Sequence, residues 1–307
     1  MDRGKERTCR SLRQRPGAPT SKEGIRYANA QSGAADPTAV YALGSSTGES
    51  ARLQRQSDEL APDCLALLGH FGLRAGDSAI DIGCGPRGII DLLAERLLPG
   101  GRVVGLDSDP AHVAMASELV RGRGWDHVEV LLGDARHTAL PADSFDLVHG
   151  RTVLVTVPDP VPIVSEMVRL ARPGGWVAGM EADMEIGICN PPHPAFDRLC
   201  ELFQAAFSRN GANPQLGREM AGLYRQAGLE DVAVEARAPV YPVGHSRRSI
   251  RADLVRSMRP HIVAMGLADE AELEEIDRAV RAHFADADTL VMSGLMFLAW
   301  GRKPDAA

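Results

Sequence analysis

The feature that most constrains the fold is a short apolar run that leads directly into a glycine-rich turn, residues 80–88 (IDIGCGPRG). A segment with helical spacing begins directly behind the turn, so that strand, turn and helix follow one another. Glycine lets the backbone approach a ligand closely, and the N–H groups of a helix N-terminus point outward. This order predicts a ligand-binding turn at the end of a buried strand.

An acidic residue follows the turn where a nucleoside-binding site needs one. Asp107 ends the next predicted strand, about 20 residues after the turn, where a carboxylate can bind both ribose hydroxyls. Gly83, Gly85 and Gly88 also satisfy the G-x-G-x-x-G pattern of dinucleotide enzymes. Asp81, directly before the turn, would repel a pyrophosphate but not a cationic ligand. The pattern therefore favours a cationic nucleoside cofactor.

The middle of the chain alternates strand and helix patterns. This rhythm predicts an α/β fold, a parallel sheet with helices on both faces. We expect strands at 79–83, 102–107, 127–132, 145–150 and 176–181, and helices at 88–98, 110–123 and 160–171. Further on we expect helices near 194–208 and 216–227, a strand at 231–237, a charged helical segment at 246–285 and one buried strand over 289–300.

The domain organisation follows from this pattern and from composition. The chain has 307 residues, enough for one large domain with a lid. We expect a basic, disordered tail over 1–22, a helical segment over 23–75, the α/β core over 76–240 and 286–303, and a helical lid inserted at 241–285.

Composition narrows the class of partner. The net charge of -7 argues against a nucleic-acid partner, which usually needs a basic surface. The five cysteines show no C-x-x-C spacing, which favours reduced thiols in the cytoplasm over a zinc site or a disulfide framework. No apolar run reaches the roughly 18 residues of a membrane span. The histidines are too dispersed for a metal cluster. We expect a small-molecule substrate, no metal, no membrane and no nucleic acid; a homo-oligomer stays open.

In order and spacing, residues 78–182 resemble the class I S-adenosylmethionine-dependent methyltransferases. The matching segments are the turn at 81–88, Asp107, Asp134 with Ala135, the strand at 145–148 and the turn at 172–175. The resemblance implies a Rossmann-like, seven-stranded sheet with the last strand antiparallel, and S-adenosylmethionine as cofactor. The family commonly has its third glycine at the position of Arg87, so the turn departs from the pattern there, and we expect Arg87 to point to solvent.

The resemblance also implies a set of cofactor-binding residues. Arg52 would pair with the cofactor carboxylate, or else would be a solvated charge on a surface helix. Arg151 follows the fourth strand, at the edge where open α/β sheets bind ligands. The full set comprises Tyr41, Arg52, Gln56, Asp81, Gly83, Cys84, Gly85, Asp107, Ser108, Asp134, Ala135 and Arg151.

Three residues are candidates for a catalytic base, which is needed only if the acceptor must lose a proton. They are His149, Glu181 and His193, and each has a structural alternative, either a hydrogen-bonded histidine or a loop-capping glutamate. Residues 190–193 (NPPH) resemble the Asn-Pro-Pro-aromatic motif of amino-group methyltransferases. They follow the fifth strand instead of the fourth and end in histidine, so a loop is favoured.

The resemblance predicts methyl transfer to carbon or oxygen of a small, largely apolar metabolite, in bacterial natural-product or quinone-type biosynthesis. The pocket should form between the carboxyl edge of the sheet and residues 23–58, 184–215 and 246–285. Two alternatives stay open, an NAD(P)-dependent oxidoreductase and a non-catalytic cofactor-binding regulatory protein. The acidic charge disfavours an RNA methyltransferase.

Overall fold

The computed structural model describes residues 47–209 and 211–306. The predicted tail, the first half of the N-terminal segment and the cofactor candidate Tyr41 lie outside these ranges. No helix within them is both long and apolar enough to cross a membrane.

Nine helices and nine strands make up the described part of the chain. The helices are α1 Thr47–Gly69, α2 Ile90–Leu97, α3 Pro110–Arg123, α4 Val161–Leu170, α5 Pro194–Arg209, α6 Leu216–Gln226, α7 Ile250–Ser257, α8 Arg259–Ala264 and α9 Glu270–Phe284. The strands are β1 Ser78–Ile82, β2 Arg102–Asp107, β3 Val128–Leu132, β4 Phe145–Arg151, β5 Ala171–Asp183, β6 Ile188–Asn190, β7 Glu230–Arg237, β8 Leu290–Met292 and β9 Leu295–Arg302.

Seven of these strands form one sheet in the order β3-β2-β1-β4-β5-β9-β7. Strands β1 to β5 are parallel, and β9 is antiparallel to both β5 and β7. The predicted seven-stranded α/β sheet with an antiparallel last strand is therefore confirmed. The chain order reverses between β1 and β4, and ligands of open α/β sheets bind outside the carboxyl ends of the strands at such a point.

The core consists of two apolar clusters, one on each face of the sheet. On β1, Ile80 and Ile82 belong to the cluster that α4 and α6 complete, while Ala79 belongs to the cluster with α1 and α2. Successive side chains of a strand point to opposite faces, so a strand covered on both sides needs apolar residues throughout. This is why the central strands of the sequence are almost continuously apolar.

The structure corrects the last predicted strand. Residues 289–300 are not one strand: β8 pairs with β6 in a separate two-stranded sheet, and β9 enters the main sheet. The break falls at Gly294, where a Cβ would lie 2.9 Å from the Met184 sulfur and 3.0 Å from the Asp183 carbonyl oxygen. A uniformly apolar sequence gives no sign of such a close backbone approach.

The segment predicted to be helical, 246–285, contains three short helices, α7, α8 and α9. Helices α7 and α9 pack on α5. The loop predicted over 190–193 begins after Asn190, which ends β6, and continues to the start of α5.

Two glycines of α6 should respond in opposite ways to alanine. At Gly217 an added Cβ would meet the Glu181 carbonyl oxygen at 2.8 Å and Phe297 at 2.9 Å. At Gly222 nothing lies within 4 Å. We expect Gly217→Ala to lower the free energy of unfolding by about 1–3 kcal/mol through overpacking. Gly222→Ala should raise it by about 0.5–1 kcal/mol through helix propensity. Urea denaturation checks both, and equal effects would contradict the packing described for α6.

Candidate functional site

The glycine turn after β1 is wrapped around a buried carboxylate. Gly83, Gly85 and Gly88 have positive φ angles of 65°, 57° and 55°. A Cβ on Gly88 would lie 2.0 Å from Asp81 Oδ2, the oxygen that accepts a hydrogen bond from the Ile89 backbone N–H at 2.9 Å. The turn closes over Asp81 only because residue 88 has no side chain.

The second oxygen of Asp81 binds a histidine. His149 Nδ1 lies 2.7 Å from Asp81 Oδ1, and the two side chains are 0% and 2% exposed. Because the carboxylate accepts, Nδ1 carries the proton. Asp81 and His149 thus support the glycine turn from its buried side. Neither side chain lines the cavity that adjoins the turn.

Asp107 joins the end of β2 to the same turn. Its Oδ2 accepts from the Gly85 N–H at 2.7 Å, its Oδ1 accepts from the Asp109 N–H at 2.9 Å, and His112 Nδ1 lies 3.7 Å away. Burial acts to raise the pKa of Asp107, but His112 and the two backbone N–H groups outweigh it, and the pKa is lowered. The ionised carboxylate keeps lone pairs for two hydroxyl donors, which fits a ribose.

The remaining candidates from strands β1 to β3 surround Asp107. Cys84 is buried, and burial raises the pKa of its thiol. Ser108 is exposed directly after β2, and Ala135 is half-buried after β3. Asp134 is exposed, and Arg136 holds it with Nη2 2.8 Å from Oδ2. Hydrogen bonds from Arg136 lower the pKa of Asp134.

Two arginines link α1 to the site. Arg52 is 7% exposed, and its Nε and Nη1 lie 2.9 Å from Glu49 and 2.8 Å from Gln56, so it is not a solvated surface charge. Arg151 donates to Ser57 Oγ at 2.9 Å and to the Gly88 carbonyl at 3.4 Å. Arg151 therefore ties α1 to the glycine turn. Separately, Arg87 does not point freely to solvent but pairs with Asp58 and Asp91.

Glu181 binds the backbone of the loop after β4. Its Oε1 accepts from the N–H groups of Val153 at 2.9 Å and Leu154 at 2.8 Å, and its Oε2 lies 3.3 Å from the N–H of Val155. Burial raises the pKa of Glu181 to about 8, against the opposing effect of these three groups.

His193 lies at the start of α5. Its Nδ1 accepts a hydrogen bond from the Ala195 N–H at 3.1 Å, and its ring packs on that of His283 with the centroids 4.7 Å apart. His193 therefore belongs to the loop between β6 and α5, and its contacts are with α5 and α9. None of the three base candidates lines the cavity.

A cavity that is partly open to solvent lies beyond the carboxyl ends of β4 and β5, and the space of about 750 Å³ that its lining surrounds includes open solvent. Thr152 lines it, while the next residue, Val153, packs on Gly83, whose Cβ position lies 2.4 Å from Val153 Cγ2. The cavity thus adjoins the glycine turn. Its further lining includes Arg52, Gln56, Val155, Thr156, Ala182, Met184, Phe203, Phe207, Tyr241, Arg247, Ile250, Leu254, Ser293 and Met296.

Thr152 has a strained backbone at this junction. Its φ is 53°, a region that β-branched residues rarely adopt. Its N–H donates to the Met180 carbonyl at 2.8 Å, and Gln56 Nε2 lies 3.4 Å from its hydroxyl. Such strain persists only where the surrounding contacts impose it, and it is concentrated at functional sites.

The three segments predicted to enclose the pocket all contribute to the cavity wall: Arg52 and Gln56 from 23–58, Met184, Phe203 and Phe207 from 184–215, and Arg247, Ile250 and Leu254 from 246–285. Thr152 had a signal, because it follows β4 at the carboxyl edge. Within these segments the sequence did not separate lining residues from core residues, because the apolar spacing of Phe203, Phe207 and Leu254 is equally that of a core. Arg247 had no signal. In the part of the chain that the structure describes, no three His, Cys, Asp or Glu side chains are grouped as metal ligands would be.

Comparison with known proteins gives three consistent findings. A family model described as a methyltransferase domain matches residues 80–179. Demethylmenaquinone methyltransferase of Anoxybacillus flavithermus is 31% identical over 178 residues, which are 54% of this chain and 75% of the relative. Nocamycin O-methyltransferase of Saccharothrix syringae is 38% identical over 117 residues, which are 38% of this chain and 41% of the relative.

A solved structure with a similar fold is also that of a methyltransferase. Phosphoethanolamine N-methyltransferase 2 of Haemonchus contortus, solved with S-adenosylhomocysteine, superposes with a TM-score of 0.51 at 20% sequence identity, over 78% of this chain and 52% of that one. The Rossmann-like methyltransferase fold is thereby confirmed. Together with the relative covered over three quarters of its length, these findings confirm the resemblance drawn from the sequence. The chain belongs to the class I S-adenosylmethionine-dependent methyltransferases, and it is an enzyme that uses S-adenosylmethionine.

Proposed function

We propose that this enzyme transfers a methyl group to oxygen or carbon of a small, largely apolar metabolite bound in the cavity. The observation that carries the proposal is the position of this cavity, which begins at Thr152, beside the glycine turn, and has mainly apolar walls. Pockets of this kind bind small molecules through apolar surface and orient them with a few polar groups. Relatives named for demethylmenaquinone and nocamycin support a quinone-type or natural-product acceptor.

The residues present fit the cofactor. Asp107 would hold the ribose hydroxyls, and the open backbone of Gly85, where nothing lies closer than Leu53 at 4.0 Å from a Cβ position, would accommodate close approach. Arg52 and Gln56 would lie between the cofactor and the acceptor, because they line the cavity from α1. Once bound, the cofactor supplies a methyl group already activated on a sulfonium.

The chain's contribution to the reaction is orientation and exclusion of water. Holding two reactants in line supplies about 7–11 kcal/mol at best. Among the described lining residues there is no carboxylate and no histidine to act as a base. We therefore assign His149 and Glu181 to positioning, His149 through Asp81 and Glu181 through the loop at 153–155, and we assign His193 to capping α5. The acceptor itself would provide an acidic hydroxyl or enol.

The two alternatives gain no support. An NAD(P)-dependent oxidoreductase does not agree with the family. A non-catalytic regulatory protein would not need the carboxylate of Asp107 and the glycine turn together with an adjoining cavity. We also propose that residues 241–285 act as the lid, because Tyr241, Arg247, Ile250 and Leu254 close one side of the cavity.

The cofactor assignment is tested at Asp107. We expect Asp107→Ala to weaken S-adenosylhomocysteine binding by about 10- to 100-fold, since charge-assisted hydrogen bonds contribute about 1.5–3 kcal/mol. Calorimetric titration measures this, with NADH titrated in parallel and Asp305→Ala, an exposed carboxylate near the C-terminus, as control. Preference for NADH in the unmutated enzyme would refute the assignment.

The acceptor assignment is tested by filling the cavity. Leu254→Trp should reduce methyl transfer at least about tenfold, because the larger ring occupies the space of the acceptor while the overpacking stays tolerable. The measurement follows label from tritiated S-adenosylmethionine into a panel of naphthols, naphthoquinols and acidic enols. Leu65→Trp, on the exposed side of α1, is the matched control, and S-adenosylhomocysteine binding should persist in both. Undiminished transfer in Leu254→Trp would place the acceptor elsewhere.

Glu181 should make stability depend on pH. Its pKa is about 8 in the folded chain against an ordinary 4.5, so the folded state binds a proton that the unfolded state releases. The free energy of unfolding should therefore fall as the pH rises between these values, by at most about 1.4 kcal/mol per pH unit. Glu181→Gln, whose amide imitates the protonated carboxyl, should lack this decline.

Denaturation at several pH values compares Glu181→Gln with the unmutated enzyme and with Glu118→Gln, an exposed control on α3. Identical pH profiles for all three proteins would show that Glu181 stays ionised in the folded chain. That result would restore it as a possible base.

A further inference from the structure

The lid side of the cavity contains a concentration of buried positive charge. Arg247, Arg248 and Arg251 are 7%, 5% and 0% exposed. They lie within five residues of each other, in the 3₁₀ turn Ser246–Ser249 and the first turn of α7. Arginine is almost never fully buried without a partner of opposite charge. The partners of these three side chains therefore decide whether the positive charge is compensated within the protein.

Arg248 is satisfied by the backbone. It donates to the carbonyl oxygens of Phe284 at 2.7 Å, Tyr241 at 2.9 Å and Asp286 at 3.1 Å, and also to that of Thr289. These bonds fasten the lid to the end of α9. They leave the charge of Arg248 without a neutralising carboxylate.

Arg251 has fewer partners. One nitrogen donates to the Ser293 carbonyl, while its Nε and Nη1 have no acceptor among the described residues. Its guanidinium lies 6.0 Å from the centroid of the Phe196 ring and 5.6 Å from that of Phe203. Burial lowers the pKa of Arg251 and outweighs the opposing effects of Cys200 and Asp183. Ser293 and Phe203 also line the cavity, so Arg251 stands directly behind its wall.

Arg247 lines the cavity itself. Its Nε and Nη1 are buried, and no hydrogen-bond acceptor reaches them in the described part of the chain. Its guanidinium lies 6.0 Å from the Tyr241 ring centroid, and Nη1 is 3.7 Å from a Glu59 carboxylate oxygen, beyond hydrogen-bond distance. Within residues 47–209 and 211–306, Glu59 is the one carboxylate within 4.0 Å of any of the three guanidinium groups.

The charged residue that α1 contributes to the cavity wall does not neutralise the guanidinium of Arg247. Arg52 adds a further cation there and is paired with Glu49, which is itself 2% exposed. Most of the rest of the wall is apolar, as at Phe207, Leu254 and Met296. A buried donor without an acceptor costs about 1–3 kcal/mol, and more when it is charged. A ligand that brings a negative oxygen to the cavity side of Arg247 would supply the opposite charge that the guanidinium lacks at hydrogen-bond distance.

We infer that the acceptor carries an anionic oxygen group, a carboxylate or an ionised enol, on an apolar body, and that Arg247 is the residue that selects for it. This inference rests on the proposed function and makes it more specific. The apolar walls bind the body of the molecule, and Arg247, supported by the charges of Arg248 and Arg251, binds the anion. Arg247 is thus a specificity-determining residue and not part of the methyl-transfer step.

The test uses the full-length enzyme saturated with S-adenosylhomocysteine and measures calorimetrically the binding of naphthalene-2-carboxylate and of neutral naphthalene-2-carboxamide. The carboxylate should bind at least about tenfold more tightly, as a charge-assisted hydrogen bond predicts. Arg247→Met should reduce carboxylate affinity about 10- to 100-fold and leave carboxamide affinity within about twofold. A parallel titration with 4-hydroxycoumarin, an acidic enol, tells the two anion types apart.

Arg256→Met, an exposed arginine of α7, is the matched control and should change neither affinity. Glu59→Gln provides a second variant: removing the neighbouring carboxylate should strengthen binding of the carboxylate. Carboxamide and carboxylate of equal affinity, or no binding of either, would overturn the inference, as would an equal loss of both in Arg247→Met. S-adenosylhomocysteine binding is measured separately in each variant, so failure of the anion site is distinguishable from failure of the methyltransferase assignment.

Discussion

The bond between the buried Asp81 carboxylate and its two donors is the interaction on which the site depends. One oxygen binds the Ile89 N–H and the other binds His149, so strand β1, the glycine turn, the start of α2 and strand β4 are joined at one point. A buried carboxylate with one partner removed would be left uncompensated, at a cost of about 3–5 kcal/mol. The Asp81 carboxylate can occupy this position only because residue 88 is a glycine and because His149 donates a hydrogen bond to it.

A second buried acid, Glu181, fixes the backbone of the loop after β4 through hydrogen bonds, as Asp81 fixes the glycine turn. Glu181, on β5, gathers the N–H groups of Val153, Leu154 and Val155, and this places Val153 on Gly83 and Thr152 in the cavity wall. The positive φ of Thr152 is tolerated because the backbone on either side of it is fixed. The boundary between the glycine turn and the cavity is thus set by two side chains, Asp81 and Glu181, that do not line the cavity.

Sequence reasoning reached the parts of the site that depend on local order. The glycine turn, Asp107 and the strand sequence follow from spacing along one βαβ unit, where neighbours in sequence are neighbours in space. The reasoning took Asp81 as a group facing the ligand because it stands beside the turn; that its carboxylate points inward depends on His149, 68 residues away. The division of 289–300 into β8 and β9 likewise depends on contacts with β6 and β5. The segments that supply the cavity wall from α5 and α7 could be predicted, but the individual lining residues could not, because an apolar residue that lines a pocket has the same spacing as one in a core.

In the mechanism we propose, the lack of a carboxylate or histidine in the described cavity wall and the arginines at 247–251 answer one chemical requirement. An enol or phenol attacks a sulfonium methyl effectively once it has lost its proton. An enzyme can either take up this proton with a base or stabilise the resulting anion, so that the proton is released to solvent. A neighbouring guanidinium favours the ionised form and lowers the pKa of such a group. A buried arginine keeps its charge where lysine would lose it, because the ordinary pKa of arginine is well above that of lysine. An acceptor that carries its own acidic group would then need from the protein only a cation, an apolar enclosure and a fixed direction toward the glycine turn.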